Sequence, residues 1–221
     1  MTKIRIVSAE WVLNLFPRLV RDLSREQGKE IKLVMEGKEI ELDRKILEEI
    51  GEPLIHLLRN AVDHGIEAPE VREACGKDRV GVIRIVAERN QENILIRVCD
   101  DGAGIDPRRI KEKALEAGLF SAGELEAMNE KQLVNLIMVN GLTTSENVTS
   151  ISGRGVGMNV VKTKIEKLGG SVVIESSMGE GTEFLLKLPL TLSILKAILI
   201  ECAGEVYAVP MSFVEDVETV E

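Results

Sequence analysis

Apolar residues recur at offsets of three and four through Leu54, Leu57, Leu58, Ala61 and Val62, which predicts a helix with one oily stripe over residues 43–65. That stripe faces a core. Asp43 can cap the start with its carboxylate, and Gly65 can close the end in the left-handed conformation. Around the cylinder, His56, Arg59, Asn60, Asp63 and His64 follow the same rhythm, so five polar groups project from one side. Such a face needs water or a polar ligand.

Upstream, residues 10–26 place Leu13, Phe16, Val20 and Leu23 on one side of a helical pattern that Pro17 kinks or restarts. Residues 31–35 alternate and then turn at Glu36 and Gly37, as an edge strand does. Downstream, residues 82–87 and 94–98 alternate on either side of the polar turn 89–93 and predict a hairpin. The run DDGAGID, residues 100–106, follows at once, and then a helix over 107–117 stopped by Gly118. Short helical pieces separated by Gly123, Gly141 and the polar run 143–152 form a candidate lid. The run SGRGVGMN, residues 152–159, opens a helix over 160–168 that Gly169 and Gly170 end. Strands at 171–176 and 183–188 flank Gly179, Glu180, Gly181 and Thr182 as a second hairpin. Beyond Leu188 the pattern is strand-like with no room for another core, the truncated start of a next domain.

Composition narrows the class. The chain has 221 residues, 44% of them apolar, enough for one sizeable α/β core with appendages. A net charge of -9 disfavours a nucleic-acid duplex or an anionic membrane as partner. Cys75, Cys99 and Cys202 are widely spaced without a CxxC pair, which argues for a reduced cytoplasmic setting and against a zinc site. The first residues lack an apolar leader, and the longest apolar stretch, 192–203, contains Lys196 and Glu201 and is too short to span a bilayer. No membrane insertion is expected.

Asp100 stands at a strand end before Gly102 and Gly104, where a carboxylate can accept from a purine amine while the glycines let backbone approach the ring. A plain tight turn has the same letters. Gly153, Gly155 and Gly157 before a helix offer backbone N–H groups to an anion. Arg154, Arg108, Arg109, Lys111 and Lys113 add local cations, or else only solvate a helix face. Asn60 offers magnesium the hard oxygen it prefers, shared with phosphates, and His56 one turn earlier can relay a proton with its ordinary pKa of about 6.5. Singly, each polar residue has a duller role: His64 can complement the helix end, Arg59 and Asp63 can pair on the surface, and His56 can be structural. A purine polyphosphate satisfies them all.

In order and spacing, HLLRNAVDHG, DDGAGID, SGRGVGM and GEGT resemble the nucleotide-binding domain of the GHKL superfamily, shared by histidine kinases, type II topoisomerases, MutL and heat-shock chaperone ATPases. His56 in the first motif, with LFPRLVRDLS before it and LPLTLSILKAIL near the end, narrows the resemblance to the chemotaxis histidine kinases of the CheA type, over nearly the whole chain. The resemblance implies a two-layer α/β sandwich with a mixed sheet, ATP lying between the anchoring helix and a lid. It implies that Asp100 binds adenine, Asn60 the magnesium ion, and Gly153, Gly155 and Gly157 the phosphates, with His56 catalytic. Arg59, Asp63, His64, Gly102, Gly104, Arg109, Lys113, Ser152, Arg154, Val156, Met158 and Thr182 would complete the ATP pocket.

By the same resemblance, residues 1–27 end a dimerisation helix region, 28–188 form the ATP-binding kinase domain, and 189–221 begin an SH3-like coupling domain. The implied partners are a phosphotransfer domain carrying the acceptor histidine, a coupling adaptor with chemoreceptors, and a second copy in a homodimer. His56 and His64 are the only histidines and both belong to the pocket, so magnesium-dependent ATP binding without self-phosphorylation is expected. A water-activating ATPase of the same fold is disfavoured by His56 in place of a Glu, and a docking module with a vestigial pocket is the other rival. Departures from the family pattern are Met138, Asn140 and Leu142, where phenylalanines and a proline are common, and Asn159, where an Asp is usual.

Overall fold

The computed structural model describes residues 6–142, 158–190, 197–202, 204–210 and Val214. Two compact units divide the chain, Met1–Leu190 and Thr191–Glu221. In the first, β1 (Ile6–Ser8) pairs with β3 (Glu41–Asp43) in a small antiparallel sheet. The main sheet has five strands, β2 (Ile31–Glu36), β4 (Gly81–Arg89), β5 (Asn93–Asp100), β6 (Ser171–Ser177) and β7 (Gly181–Pro189), in the order β2-β4-β5-β7-β6. β2 runs parallel to β4 at the edge and the other pairings are antiparallel, so the sheet is mixed.

Register decides which residues reach the core. Ile83, Ile85 and Ala87 align across β5 with Asp100, Val98 and Ile96, and these align in turn with Thr182, Phe184 and Leu186 of β7. The hydrophobic members of that ladder are buried. Helices cover it: α2 (Phe16–Glu26) packs on β2, α3 (Arg44–Asn60) on β5 and α8 (Asn159–Lys167) on β6, while α3 and α8 pack on each other. The opposite phase of the strands carries the ion pairs Arg84–Glu36, Arg97–Glu88 and Arg97–Glu183, as a solvated antiparallel face does. The result is the expected two-layer α/β sandwich.

Pro17 lies in the first turn of α2 and a break at Asn14 and Leu15 separates that helix from α1 (Glu10–Leu13), the restart that the proline predicts. Asp43 caps α3 by accepting from the Lys45 amide at 2.8 Å. Its end differs from expectation. Gly65 is not left-handed; the final turn widens into a π-helix, Ala61–Gly65, in which the Ile66 amide donates to the Ala61 carbonyl at 2.8 Å.

Three further elements depart from the pattern reading. The stretch with Pro69 and Gly76 contains a short helix, α4 (Pro69–Ala74). After α5 (Pro107–Glu116), Gly123 does not separate helical pieces; it lies inside α6 (Ala122–Ala127), where Ser121 and Glu124 form a reciprocal capping box. Asn129 and Gln132 box the start of α7 (Glu130–Asn135) in the same way, and a 3-10 turn, Leu136–Met138, follows. Gly181 and Thr182 belong to β7 and pair with Ser177 and Ser176, so the second hairpin turns earlier than expected. The polar run 143–152 lies outside the described residues. In the second unit, β8 (Ala197–Cys202) and β9 (Glu205–Pro210) form an antiparallel hairpin.

Candidate functional site

The π-turn sets the first wall of the site. Lys29 Nζ donates to the Val62 carbonyl at 2.5 Å and to the Asp63 carbonyl at 3.0 Å, satisfying backbone groups that a helix end leaves open. Burial lowers the Lys29 pKa, against the pull of the Asp63 and Glu67 carboxylates. Gln27 Nε2 donates to the Asp63 carboxylate, which ties Asp63 to the end of α2. Neither Lys29 nor Gln27 carries a sequence signal of its own.

Opposite stands Asp100, in phase with Val98 and Ile96 and therefore on the core side of the sheet. Its Oδ1 accepts from the Gly102 amide at 3.0 Å. Burial pushes its pKa up to about 6, with Asp101 and Glu67 acting in the same direction and the Gly102 and Thr182 amides against it. Gly65 is required by this carboxyl group: a Cβ there would stand 3.0 Å from its carbon and Oδ1. Gly102 is required by Gly65, because a Cβ on it would collide with the Gly65 carbonyl, which also accepts from the Ala103 amide at 2.9 Å. Gly102→Ala thus sets side chain against backbone and should cost about 3 kcal/mol or more of folding stability. An unchanged urea midpoint would refute that contact.

Thr182 is 7% exposed, directly across from Asp100. Ser176 Oγ donates to the Gly181 carbonyl at 3.0 Å and lies 2.9 Å from Thr182 Oγ1, so the shared proton of the pair comes from Thr182. The same Ser176 oxygen accepts from the Ile105 amide at 2.9 Å, tying the loop after β5 to the β6–β7 turn. Gly104 lies in that loop against the Ser177 carbonyl.

A charged cluster supports the loop from behind. Arg72 on α4 is 1% exposed and donates to the Asp78 carbonyl, Glu67 Oε2, the Asp101 carbonyl and Asp101 Oδ2 at 2.8–3.2 Å. Lys77 donates to Glu67 Oε1, the Asp101 carbonyl and the Gly102 carbonyl at 2.7–3.0 Å. Burial would raise the Glu67 pKa, but the bonds from Lys77 and Arg72 hold it below the usual carboxylate range. Asp101 Oδ1 accepts from the Val82 amide at 2.8 Å. Sequence reasoning missed this cluster.

On the remaining side, Asn60 Nδ2 donates to the Met158 thioether at 2.7 Å, which brings the end of the glycine motif beside the anchoring helix. Ser152, Gly153, Arg154, Gly155, Val156 and Gly157 lie outside the described residues. Lys164 on α8 pairs with Glu52 on α3. Asn159 donates to Asn140 at 2.7 Å, so two of the positions that depart from the family pattern are bonded to each other. Met138 and Leu142 are buried. His56 is half-buried, and burial, then the Arg59 cation, lowers its pKa against the opposing effect of Glu52 and Asp63. Arg59, His64 and Arg109 are exposed and Lys113 is half-buried on α5. Cys99 is no nucleophile: burial and its 3.3 Å bond to Glu183 push its thiol pKa up to about 12.

Residues 49–192 match the model of the histidine kinase-, DNA gyrase B- and HSP90-like ATPases, a span that contains α3's second half, the Asp100 loop and β7. The chain belongs to this ATPase family. ATP is the nucleotide that this family serves. The chain is 49% identical to the chemotaxis protein CheA of Halobacterium salinarum over 213 residues, 96% of this chain and 32% of that protein. It is 47% identical to CheA of Bacillus subtilis over 208 residues, 94% of this chain and 31% of that protein. The chain thus spans about a third of the length of these relatives. The catalytic domain of the histidine kinase ThkA superposes with a TM-score of 0.50 at 18% identity, over 86% of this chain and 98% of that one, a likeness of fold. The family resemblance carried by the four motifs, and the CheA-type resemblance carried by His56 and the flanking LFPRLVRDLS and LPLTLSILKAIL, are both borne out. Among the described residues no helix is long and apolar enough to cross a membrane.

Proposed function

We propose that this member of the family is the ATP-binding catalytic portion of a chemotaxis histidine kinase, passing the γ-phosphoryl group of ATP to a histidine on a separate phosphotransfer domain. The observation that carries it is Asp100. A carboxyl group on the core face of a sheet is costly, and here it is held by the Gly102 and Thr182 amides and cleared of side chain by Gly65 and Gly102. A site built that way suits a ligand amine, and adenine supplies one. Thr182 would add its hydroxyl from β7.

Asn60 fits a magnesium ion: its amide nitrogen is spent on Met158, which leaves the hard oxygen for a cation. Magnesium, when bound there, would neutralise charge on the phosphates. The N–H groups of Gly153, Gly155 and Gly157, with Ser152, Arg154 and Val156, would cradle those phosphates, and Arg59, His64, Arg109 and Lys113 would add positive potential or hydrogen bonds. His56, kept neutral by its surroundings, would accept or relay the proton of the incoming imidazole.

The division at Leu190 and Thr191 supports ending the kinase domain at about residue 188 and starting a coupling domain at 189–221, while residues 1–27, which we assign to the end of a dimerisation region by the motif resemblance alone, share one compact unit with residues 28–188. The chemotaxis relatives support a role in chemotaxis signalling, and by the motif resemblance the full protein would be cytoplasmic and homodimeric and would meet a phosphotransfer domain, a coupling adaptor and chemoreceptors.

Titration calorimetry with a non-hydrolysable ATP analogue tests the proposal. Binding should tighten about tenfold when magnesium is added, and Asn60→Ala should lose that increment while keeping the magnesium-free affinity. No heat from the parent chain would sink the ATP site, and steady hydrolysis without an acceptor domain would favour a water-activating ATPase.

A further inference from the structure

The buried cluster around Arg72 has no place in the chemistry above, yet its bonds converge on the nucleobase loop. A guanidinium removed from water must be paired, and Glu67 alone would have sufficed for charge. Instead most of the bonds made by Arg72 and Lys77 end on residues 101 and 102, including both of their backbone carbonyls. Those two residues directly follow Asp100, and Gly102 donates the amide that fixes its carboxyl group.

We propose that Arg72 and Lys77 are positioning residues for the nucleobase, which aim the Asp100 carboxyl group by gripping the Asp101 and Gly102 carbonyls and by neutralising Glu67 and Asp101 beside it. The inference rests on the ATP reading of the site. Its physical content has two parts. The planar fork of Arg72 reaches the Asp78 carbonyl, the Asp101 carbonyl and two carboxylates at once, a geometry that a lysine ammonium cannot reproduce. Lys77 supplies charge and holds Gly102 by its carbonyl while the amide of Gly102 holds Asp100.

The groups that act on Asp100 are the carboxylates of Asp101, next in the loop, and Glu67, after the π-turn, and the Gly102 and Thr182 amides, while the Cys99 thiol, on the opposite face of the same strand, couples to it through charge alone. Arg72 from α4 and Lys77 beyond it are the cations bonded to both of those carboxylates or their backbone. Loss of a cation therefore leaves Asp100 facing unbalanced negative charge and raises its titration midpoint.

Two variants separate aim from charge, with melting curves to confirm the fold. Arg72→Lys keeps the charge and loses the fork; Lys77→Met removes a cation that stands at the partly exposed side of the cluster. Calorimetry should show ATP binding weakened about tenfold in each, since a displacement of a fraction of an ångström is enough. Carboxyl-carbon NMR on the nucleotide-free chain should show the Asp100 midpoint moved up in Lys77→Met and nearly unmoved in Arg72→Lys. Folded variants that bind ATP within about twofold of the parent would overturn the proposal. Should Arg72→Lys not fold, Lys77→Met decides alone. A parent chain that fails to bind ATP would overturn the ATP reading, whereas an unmoved Asp100 midpoint in Lys77→Met would overturn this inference independently of nucleotide.

Discussion

Asp100→Asn is expected to abolish measurable ATP binding and yet to leave the nucleotide-free chain at pH 7 at least as stable as its parent. The Gly102 amide demands an oxygen, so the asparagine must turn its carbonyl toward Gly102 and its NH2 group toward the ligand. Two donors then face each other where the adenine amine had an acceptor, and a loss of about a hundredfold or more follows.

Stability moves the other way because of where Asp100 lies. Its midpoint is about 6 in the folded chain against 3.8 for the ordinary side chain. The folded state therefore binds the proton more tightly, and this contribution is fully present below the unfolded value and is lost as pH rises through about 6. At pH 7 the ionised, buried carboxylate opposes folding by up to about 3 kcal/mol, a cost that asparagine does not carry. Urea midpoints of parent and variant should differ most above pH 6 and converge toward pH 4. The ATP affinity of the parent should fall as pH drops through the same range. A stability gap that ignores pH would mean that Asp100 does not titrate there.

Much of this frame was legible from spacing alone, because strands and helices with one buried face impose their period on the sequence. The stripe through Leu54, Leu57, Leu58, Ala61 and Val62 is buried as its rhythm requires, and the β4–β5 hairpin follows from alternation. Even the phase of Asp100 was readable: Ile94, Ile96 and Val98 point to the core, and the next residue of that phase is a carboxylate. What failed did so for identifiable reasons. Gly65 looked like a local helix stop, whereas its need for hydrogen comes from a carboxyl group that the sheet brings to it across 35 positions of sequence, about which local signals carry nothing. Gly123 looked like a break because glycine is a poor helix former, but the Ser121 and Glu124 capping box starts a helix through it. Arg72 sat in a helix too short to show a period, and its buried role exists only once Asp101 folds against it. Strands of three residues, such as β1 and β3, fall below what alternation can detect.

His56→Gln should leave ATP binding within about twofold of the parent while transfer to a supplied phosphotransfer domain falls by about a hundredfold to a thousandfold. The imidazole is withdrawn from water beside Arg59, and both effects disfavour its charged form, so at neutral pH its lone pair is free to take a proton. Glutamine keeps a hydrogen-bonding side chain of approximately the same size but has no basic nitrogen. It separates holding from proton transfer. The pH profile gives the sharper discrimination: the parent's transfer rate should decline on the acid side with a midpoint below 6.5, the ordinary histidine value, because the folded environment lowers it. The variant should lack that limb altogether. Transfer retained at the parent's rate, or an acid limb that survives the substitution, would remove His56 from the chemistry and leave the pocket to act by positioning and electrostatics alone.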